Sequence, residues 1–247
     1  MKKYGIRTSC VVFGMTAVAV TILCLGQTVR APTPAAPNED AICIAAETYI
    51  DVPVICQYPA LPTGCESVSA TMVLQYFGSS VTPEEFAASW LECSENFYSD
   101  QNRLHGPDPN RVFAGNPFTR QSYGCYAAPI ANAVNHNSLE YSAEVLLDRS
   151  LSELCADYID NDQPLLIWAT MGMKESYAGT SWYLEDGSEF TWIAEEHCLV
   201  LVGYNDAYYL LNDPLSGSTV AYQKALVEKR YAELGKQAVV IYPNTPL

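Results

Sequence analysis

The chain has 247 residues, of which 13 are Lys or Arg and 28 are Asp or Glu, so its formal net charge at pH 7 is −15. This negative charge argues against nucleic acid and anionic membrane surfaces as partners, because both are bound through positive patches. The cysteines include no C-x-x-C pair and the 3 histidines are scattered, so a zinc site is not expected.

The N-terminus has the pattern of a secretory signal or of an uncleaved membrane anchor. Basic residues at positions 2, 3 and 7 precede an uncharged apolar run of 17 residues, 10–26, which is at the lower edge of the length that spans a bilayer. No A-x-A cleavage site follows the run, so both interpretations stay open. Because the basic residues hold that end inside, we expect the rest of the chain to be secreted or displayed at a bacterial cell surface.

The chain divides into three predicted parts. Residues 1–30 are the signal or anchor, residues 31–44 are a Pro/Ala-rich linker, and residues 45–247 are one domain of ordinary length. Without the first 30 residues the chain keeps 9 basic and 28 acidic residues, a net charge of −19. We expect the exported part to be a monomer that meets the membrane only through the N-terminal segment.

Helical periodicity and capping residues dominate the first half of the domain. Apolar residues recur at helical spacing from Cys65, and Gly78 is placed to end that helix. Residues 82–85 have the capping-box pattern T-x-x-E, which predicts the start of a second helix. Two further helices are predicted over 127–137 and 151–160, the second of which also begins with a capping box.

The residue pattern in the second half of the domain predicts β-strands. Between the two halves, residues 94–126 are rich in Asn, Gly and Pro and show no periodicity, which predicts a long surface loop. Short β-branched or aromatic runs bounded by turn residues predict strands at 164–171, 197–205, 207–214 and 238–243. The stretch GYNDAYY predicts a hairpin between the second and third of these strands. Helices followed by strands are typical of an α+β domain.

Cys65 is the candidate nucleophile. It stands at the start of the first predicted helix, after a Thr-Gly turn, and the unpaired N–H groups and dipole of a helix N-terminus favour a thiolate. A cysteine in this position is more often structural than catalytic, so a partner group is needed. Cys155 lies inside a predicted helix and Cys198 inside a predicted strand, where we expect buried structural thiols.

The remaining cysteines suggest disulfides. Seven cysteines lie beyond the apolar run, and an odd number leaves at least one unpaired in an exported protein. Cys43 and Cys56 are near one another in sequence, and Cys93 and Cys125 flank the irregular segment. We predict a disulfide in each of these two pairs.

Polar residues at the ends of two predicted strands supply a base and a group that orients it. His197 begins an otherwise apolar run, and Asp213 ends the next run 16 residues later. A hairpin brings these ends together, so that Asp213 can hold the His197 ring and steady its imidazolium form. Gln57, eight residues before Cys65, could join the Cys65 N–H in an oxyanion hole.

The ordered set Gln57, Cys65, His197 and Asp213 resembles papain-like cysteine peptidases. More closely, the stretches VPVICQYPALPTGCESVSATMVLQYFG, PLLIWATM and HCLVLVGYNDAYYLLNDPLSG resemble the C39-like peptidase family, which is related to the bacteriocin-processing peptidases. This resemblance covers residues 50–243 and implies a papain-like α+β fold, with N-terminal helices packed on a C-terminal antiparallel sheet. It implies that the cysteine is the nucleophile, the histidine the general base and acid, the aspartate its orienting group and the glutamine the oxyanion donor.

The sequence departs from the transporter-linked relatives in two ways. Those peptidase domains are attached to a membrane-spanning ATPase, and no ATPase motif is present here, so cleavage of double-glycine leaders is not expected. Glu66 follows the cysteine where that group has glycine, and a carboxylate there opposes a neighbouring thiolate. In addition, Asn212 is adjacent to Asp213 and competes with it for the third catalytic role.

We therefore predict an exported or membrane-tethered thiol peptidase that cleaves peptide or protein substrates and needs no cofactor or metal. The candidate substrate-contacting residues are Gly64, Glu66, Trp182 and Trp192.

Two other functions stay open at this point. The same triad would serve an acyltransferase or amidase acting on cell-wall or isopeptide bonds. Alternatively, the domain is a surface binding module without enzymatic activity, in which Cys65 is held in a disulfide and Trp182, Tyr183 and Trp192 form the contact surface.

Overall fold

The computed structural model of the protein describes residues 48–245. The predicted signal or anchor, the predicted linker and Cys43 lie outside these residues, so the predictions made for them stay predictions. Within 48–245, none of the helices has both the length and the apolar character needed to cross a bilayer.

Five helices and thirteen strands are interspersed along the described residues. In chain order the elements are β1 (Thr48–Tyr49), α1 (Cys65–Tyr76), α2 (Pro83–Glu85) continued by a π-helical turn (Phe86–Trp90), β2 (Cys93–Ser94), β3 (Tyr98–Asp100), β4 (Arg103–His105), β5 (Phe113–Ala114), α3 (Ala127–Asn137), β6 (Tyr141–Leu147), α4 (Leu151–Asp157) with a 3-10 turn (Ile159–Asn161), β7 (Leu165–Thr170) with a 3-10 turn (Met171–Met173), β8 (Tyr177–Tyr183), β9 (Glu189–Ala194), β10 (Glu196–Tyr204), β11 (Tyr208–Asp213), β12 (Ser218–Gln223), α5 (Lys224–Glu233) and β13 (Gln237–Pro243).

A seven-stranded antiparallel sheet forms the centre of the fold. Its strands follow the order β12-β11-β10-β7-β13-β6, and β1 also pairs with β10. Every residue of β7 and all but the last residue of β10 are buried, which explains why these strands read as continuous apolar runs. Helices α1 and α5 lie against β10 and β7 respectively. This arrangement confirms the predicted α+β class.

The helices with the strongest sequence signals form as predicted. α1 and α3 have the predicted starts, and Ser150 and Glu153 form the predicted capping box at the start of α4. Thr82 accepts a hydrogen bond from the Glu85 backbone N–H at 3.1 Å, as predicted for the second helix. Four predicted strands are present as β7, β10, β11 and β13, and the predicted hairpin joins β10 to β11.

The segment 94–126 is less exposed than the sequence predicts. It contributes β3 and β4 to a four-stranded sheet with β8 and β9, and β5 to a short parallel pair with β2. Aromatic rings hold it in place: Phe97 and Tyr123 lie 5.5 and 4.8 Å from the ring of Trp182. A segment fixed by scattered aromatic contacts has no helical or strand periodicity, and this is why the sequence predicts a loop.

The predicted disulfide between Cys93 and Cys125 is wrong. No disulfide joins any two of the six cysteines within the described residues: Cys56, Cys65, Cys93, Cys125, Cys155 and Cys198. The Cys93 sulfur lies 3.6 Å from the Leu91 carbonyl oxygen, whereas Cys125 is buried. The predicted partner of Cys56 lies outside the described residues, and that pairing stays a prediction. Cys155 and Cys198 are buried, as expected for structural thiols.

Candidate active site

A close-packed turn places Cys65 at the first position of α1. A side chain at Gly64 would put its Cβ 2.9 Å from the Cβ of Leu61 and 3.2 Å from the Cβ of Pro117, so the turn has room only for glycine. The Gly64 N–H donates to the Leu61 carbonyl at 3.0 Å, which closes the turn. Cys65 is 7% exposed. Gly64 therefore serves to bring the thiol to the helix start, and it is itself buried.

The first turns of α1 are docked on β10 beside His197. The Ser69 hydroxyl donates to the Cys198 carbonyl at 3.1 Å, and both residues are buried. The backbone N–H of Cys198 interacts with the Cys65 sulfur and acts to lower the pKa of that thiol. The nucleophile candidate thus meets the strand at the residue that follows His197.

His197 and Asp213 form a buried hydrogen-bonded pair. The distance between His197 Nε2 and Asp213 Oδ1 is 2.7 Å, and the two residues are 2% and 5% exposed. The Leu215 N–H also donates to Asp213 Oδ1, at 2.8 Å. Burial alone would raise the pKa of the Asp213 carboxyl, but its hydrogen bond to His197 and the charge of that ring lower it overall. Since Asp213 occupies Nε2, the ring is oriented with Nδ1 as its remaining proton-transfer atom.

The hydrogen bonds of Asn212 and Asp213 show which of the two residues contacts His197, a choice that the sequence leaves open. Asn212 donates from Nδ2 to the Val52 carbonyl at 3.0 Å and accepts from the Thr219 hydroxyl at 2.7 Å. These bonds connect the segment around Val52 and strand β12 to β11, and they engage both the nitrogen and the oxygen of the Asn212 amide. Asp213, not Asn212, is the partner of His197.

Gln57 is held close to the turn that follows Asp213. Its backbone N–H donates to the Pro214 carbonyl at 2.8 Å, and its side-chain Nε2 donates to the Pro62 carbonyl at 2.9 Å. An amide nitrogen carries two hydrogens, so one N–H of Nε2 is left for another acceptor. Gln57 is 4% exposed.

A sequence model of the Peptidase_C39 like family matches residues 49–239. The chain belongs to the Peptidase_C39 like family. An uncharacterised protein of Bacillus subtilis (strain 168), YvpB, is 29% identical over 186 residues, which cover 74% of this chain and 70% of that protein. Neither match assigns a substrate.

Solved structures of C39-like peptidases are similar to this chain. A crystal structure assigned to the C39-like peptidases, from Bacillus anthracis, is 27% identical, with a TM-score of 0.70, and covers 81% of this chain and 100% of that chain. This similarity confirms the papain-like fold predicted from the sequence. A double glycine motif protease from an AMS/PCAT transporter, solved in complex with the leader peptide, is 16% identical, with a TM-score of 0.48 and coverage of 80% and 96%.

The C39-like chain buries three of the residues predicted to contact substrate. Glu66 is 0% exposed, and its Oε1 accepts from the Cys125 N–H at 2.7 Å. Trp182 and Trp192 are 1% and 7% exposed, and they pack in an aromatic cluster with Tyr123. The carboxyl group of Glu66 and the rings of the two tryptophans face the protein interior, because the segment 94–126 folds over them. The three side chains pack inside the protein in this structure, and their contact with substrate stays a prediction.

Tyr183, the third aromatic residue of the predicted contact surface, lies elsewhere. It lines a cavity of about 670 Å³ together with Tyr98, His105 and Arg111. Cys65, His197 and Asp213 do not belong to its lining.

The environment of the Cys65 thiol differs from the one predicted at a helix start. Burial raises the pKa of the thiol well above its ordinary value, and the carboxyl groups of Glu66 and Glu196 raise it further. The expectation of a lowered thiol pKa considered only the helix N-terminus. Glu196 was missed by the sequence reasoning, although a charged residue directly before His197 in a buried strand is an available signal.

We expect Asp213→Asn to lower kcat/KM by about 10- to 100-fold. The amide oxygen can still accept from the His197 ring, but the charge that stabilises the imidazolium is lost, and hydrogen bonds to charged groups are worth about 1.5–3 kcal/mol. Steady-state kinetics on a peptide substrate measure the change, with Asp206→Asn in the exposed turn of the same hairpin as the control. Equal activity of the wild type and Asp213→Asn would contradict the role given to this carboxylate.

The same variant has an acid-stability signature. A carboxyl whose pKa is lower in the folded state stabilises the fold above its unfolded pKa, and this contribution is lost as the pH falls through the folded pKa. Thermal melts taken from neutral to acid pH should therefore show a smaller loss of Tm for Asp213→Asn than for the wild type.

Proposed function

We propose that this chain is a thiol peptidase that hydrolyses peptide bonds through Cys65, His197 and Asp213, with Gln57 as the oxyanion donor. The observation that carries the proposal is the buried His197–Asp213 hydrogen bond of 2.7 Å, together with a free thiol at the start of α1 that meets β10 at Cys198, the residue after His197. Membership of a peptidase family supports the reaction class. From the N-terminal pattern, we further propose that the protein acts outside the cytoplasm, secreted or held at the cell surface by residues 1–30.

In the acylation step, His197 Nδ1 takes the thiol proton and the Cys65 sulfur attacks the carbonyl carbon of the scissile bond. The negative oxygen that forms is stabilised by the Cys65 N–H, which has no intrahelical acceptor at the first helical position, and by the free N–H of Gln57 Nε2. The imidazolium then protonates the leaving amine, and the C–N bond breaks to leave a thioester on Cys65.

Deacylation uses the same groups in reverse. A water molecule gives its proton to His197 and its oxygen attacks the thioester carbonyl, so the carboxylic acid is released and the Cys65 thiol is restored. Asp213 keeps the ring in one orientation through both steps and stabilises its charged form. The substrate class that fits this chemistry is an extended segment of peptide or protein.

Product analysis tests the reaction type directly. We expect the full-length protein, incubated with a library of terminally blocked peptides, to give fragments whose summed mass exceeds that of the substrate by one water. The control is the same protein after complete iodoacetamide treatment, which should give no fragments. Fragments that carry an added amine instead of water would indicate acyl transfer, and peptides retained but never cleaved would indicate a binding module.

A further inference from the structure

Two carboxyl groups lie directly beside the proposed nucleophile. Glu66 from α1 and Glu196 from β10 are 0% and 7% exposed. The Cys65 thiol donates to Glu66 Oε2 at 3.3 Å, and the Cys65 sulfur and one carboxyl oxygen from each of Glu66 and Glu196 all lie within 4.8 Å of one another. The catalytic chemistry derived above uses neither carboxyl, so their burial at this place needs an explanation. We call Glu66 and Glu196 the carboxyl pair.

The surroundings of the carboxyl pair supply no positive charge. Within residues 48–245, neither carboxyl forms an ion pair with Lys, Arg or His. The ring of His197, next in the chain to Glu196, is hydrogen-bonded to Asp213. The other titratable groups that interact electrostatically with the pair can only be neutral or negatively charged. They are the thiols of Cys65, Cys93, Cys125 and Cys198 and the phenol of Tyr126.

Hydrogen bonding also falls short of what two carboxylates require. The Cys125 N–H donates to Glu66 Oε1 at 2.7 Å, whereas Glu196 Oε1 is buried without a hydrogen-bond partner. A buried carboxylate with neither a counter-charge nor donors is strongly disfavoured, and binding a proton is the simplest way to remove its charge.

The backbone at Gly124 closes over the carboxyl pair. A Cβ at this position would lie 2.5 Å from Glu66 Oε1, 3.2 Å from Glu196 Oε2 and 3.2 Å from the ring of Trp192. Gly124 also has a φ of +143°, a conformation that favours glycine. The chain therefore builds a lid over the pair, which keeps bulk water from screening the two groups.

We propose that Glu66 and Glu196 hold at least one proton between them and that, once His197 has taken the thiol proton, the protonated Glu66 carboxyl donates to the Cys65 sulfur instead of accepting from it, so that the pair stabilises the thiolate. This rests on the proposed function, in which Cys65 is the nucleophile. The thiol proton still goes to His197, and the carboxyl proton stays on the pair. Glu66 and Glu196 are thus positioning residues, because they act on the nucleophile and not on the substrate.

Ionisation of Glu66 reverses the effect. An ionised Glu66 repels the thiolate at 3.3 Å, and the sulfur then keeps its own proton. Burial raises the pKa of Glu66 to about 7, and burial together with the neighbouring Glu66 raises the pKa of Glu196 well above its ordinary value. The thiolate is therefore stabilised below about pH 7 and opposed above it, and reactivity of Cys65 should fall as the pH rises through this value.

Alkylation of Cys65 measures this without any substrate. The full-length protein with EDTA, which removes any metal bound by the sulfur, is treated with chloroacetamide across about pH 4.5–9, and labelled Cys65 is quantified by mass spectrometry. We expect the wild-type rate to fall by about tenfold or more from its maximum as Glu66 loses its proton, since one unit of thiol pKa is a tenfold change in thiolate.

Two variants should affect this fall differently. Glu66→Gln keeps a neutral N–H donor beside the sulfur at every pH, so the fall near pH 7 should disappear. Glu196 is still protonated when Glu66 ionises, so Glu196→Gln replaces one neutral group by another and the fall should stay near pH 7. Glu144→Gln, an exposed residue of β6 at the far edge of the central sheet, is the matched control and should reproduce the wild-type profile.

The outcomes are distinct from those of the proposed peptidase function. A profile of Glu66→Gln that superimposes on the wild type, or a uniform loss of labelling at every pH, would overturn the carboxyl-pair proposal even if peptides are cleaved. A fall that Glu66→Gln abolishes and Glu196→Gln retains, without any cleavage of peptides, would support the carboxyl-pair proposal and reject the peptidase. If circular dichroism shows that Glu66→Gln is unfolded, Glu196→Gln decides: a fall retained near pH 7 supports the proposal, and a lost fall overturns it.

Discussion

The variant Cys65→Ala should lose all measurable peptide hydrolysis and keep the fold. Without the sulfur no thioester can form, and removal of the nucleophile in an enzyme of this kind lowers kcat by about 10³- to 10⁶-fold. The substitution removes one buried sulfur atom next to the carboxyl pair, so near-wild-type circular dichroism and Tm are expected. The measurement is fragment release from the best library peptide by the purified full-length variant.

Cys155→Ala provides the matched control. Cys155 is also buried, but it lies in α4 and makes no contribution to the proposed chemistry. We expect its kcat to stay within about twofold of the wild type, with a loss of stability on the order of 1 kcal/mol from the lost packing. Unchanged hydrolysis by a well-folded Cys65→Ala would end the assignment of Cys65 as nucleophile.

His197→Gln should lose nearly as much activity as the nucleophile variant. Glutamine can still donate to Asp213, so the buried carboxylate keeps a partner, but it cannot take the thiol proton or protonate the leaving amine. We expect a loss in kcat of about 10³-fold or more, together with loss of the alkylation maximum at acid pH that depends on a thiolate–imidazolium pair.

His136→Gln separates this effect from a general effect of removing histidine. His136 is exposed near the end of α3 and is remote in sequence from both strands of the hairpin. Its variant should match the wild type in both assays. Comparable losses in the two histidine variants would show that the effect of His197→Gln does not come from general-base chemistry.

The sequence predicts those parts of the fold that depend on local signals. Capping at Ser150 and the helical spacing after Cys65 are short-range patterns, and they predict α4 and α1 because helix starts are fixed by residues within one turn. His197 and Asp213 could be paired in advance because one hairpin determines where both strand ends lie.

The errors concern residues whose surroundings come from distant segments. Nothing in the sequence indicates that Trp182 and Glu66 are buried, but residues around Tyr123 and Cys125 fold back over them. The same burial raises the pKa of the Cys65 thiol, and this effect cannot be inferred from the position of the residue at a helix start. The carboxyl pair could not be predicted, since its two members are brought together only when α1 docks on β10.

The two halves of the proposed catalytic machinery differ greatly in how far apart their contacts lie along the chain. The His197–Asp213 bond joins residues 16 apart, whereas the Ser69–Cys198 bond that docks α1 joins residues 129 apart. Contacts between distant residues carry a larger loop-closure cost and are gained later in folding than local ones. We therefore expect a refolding chain to form the His197–Asp213 pair before α1 docks on β10, so that the proposed hydrolytic activity would be gained only with that docking.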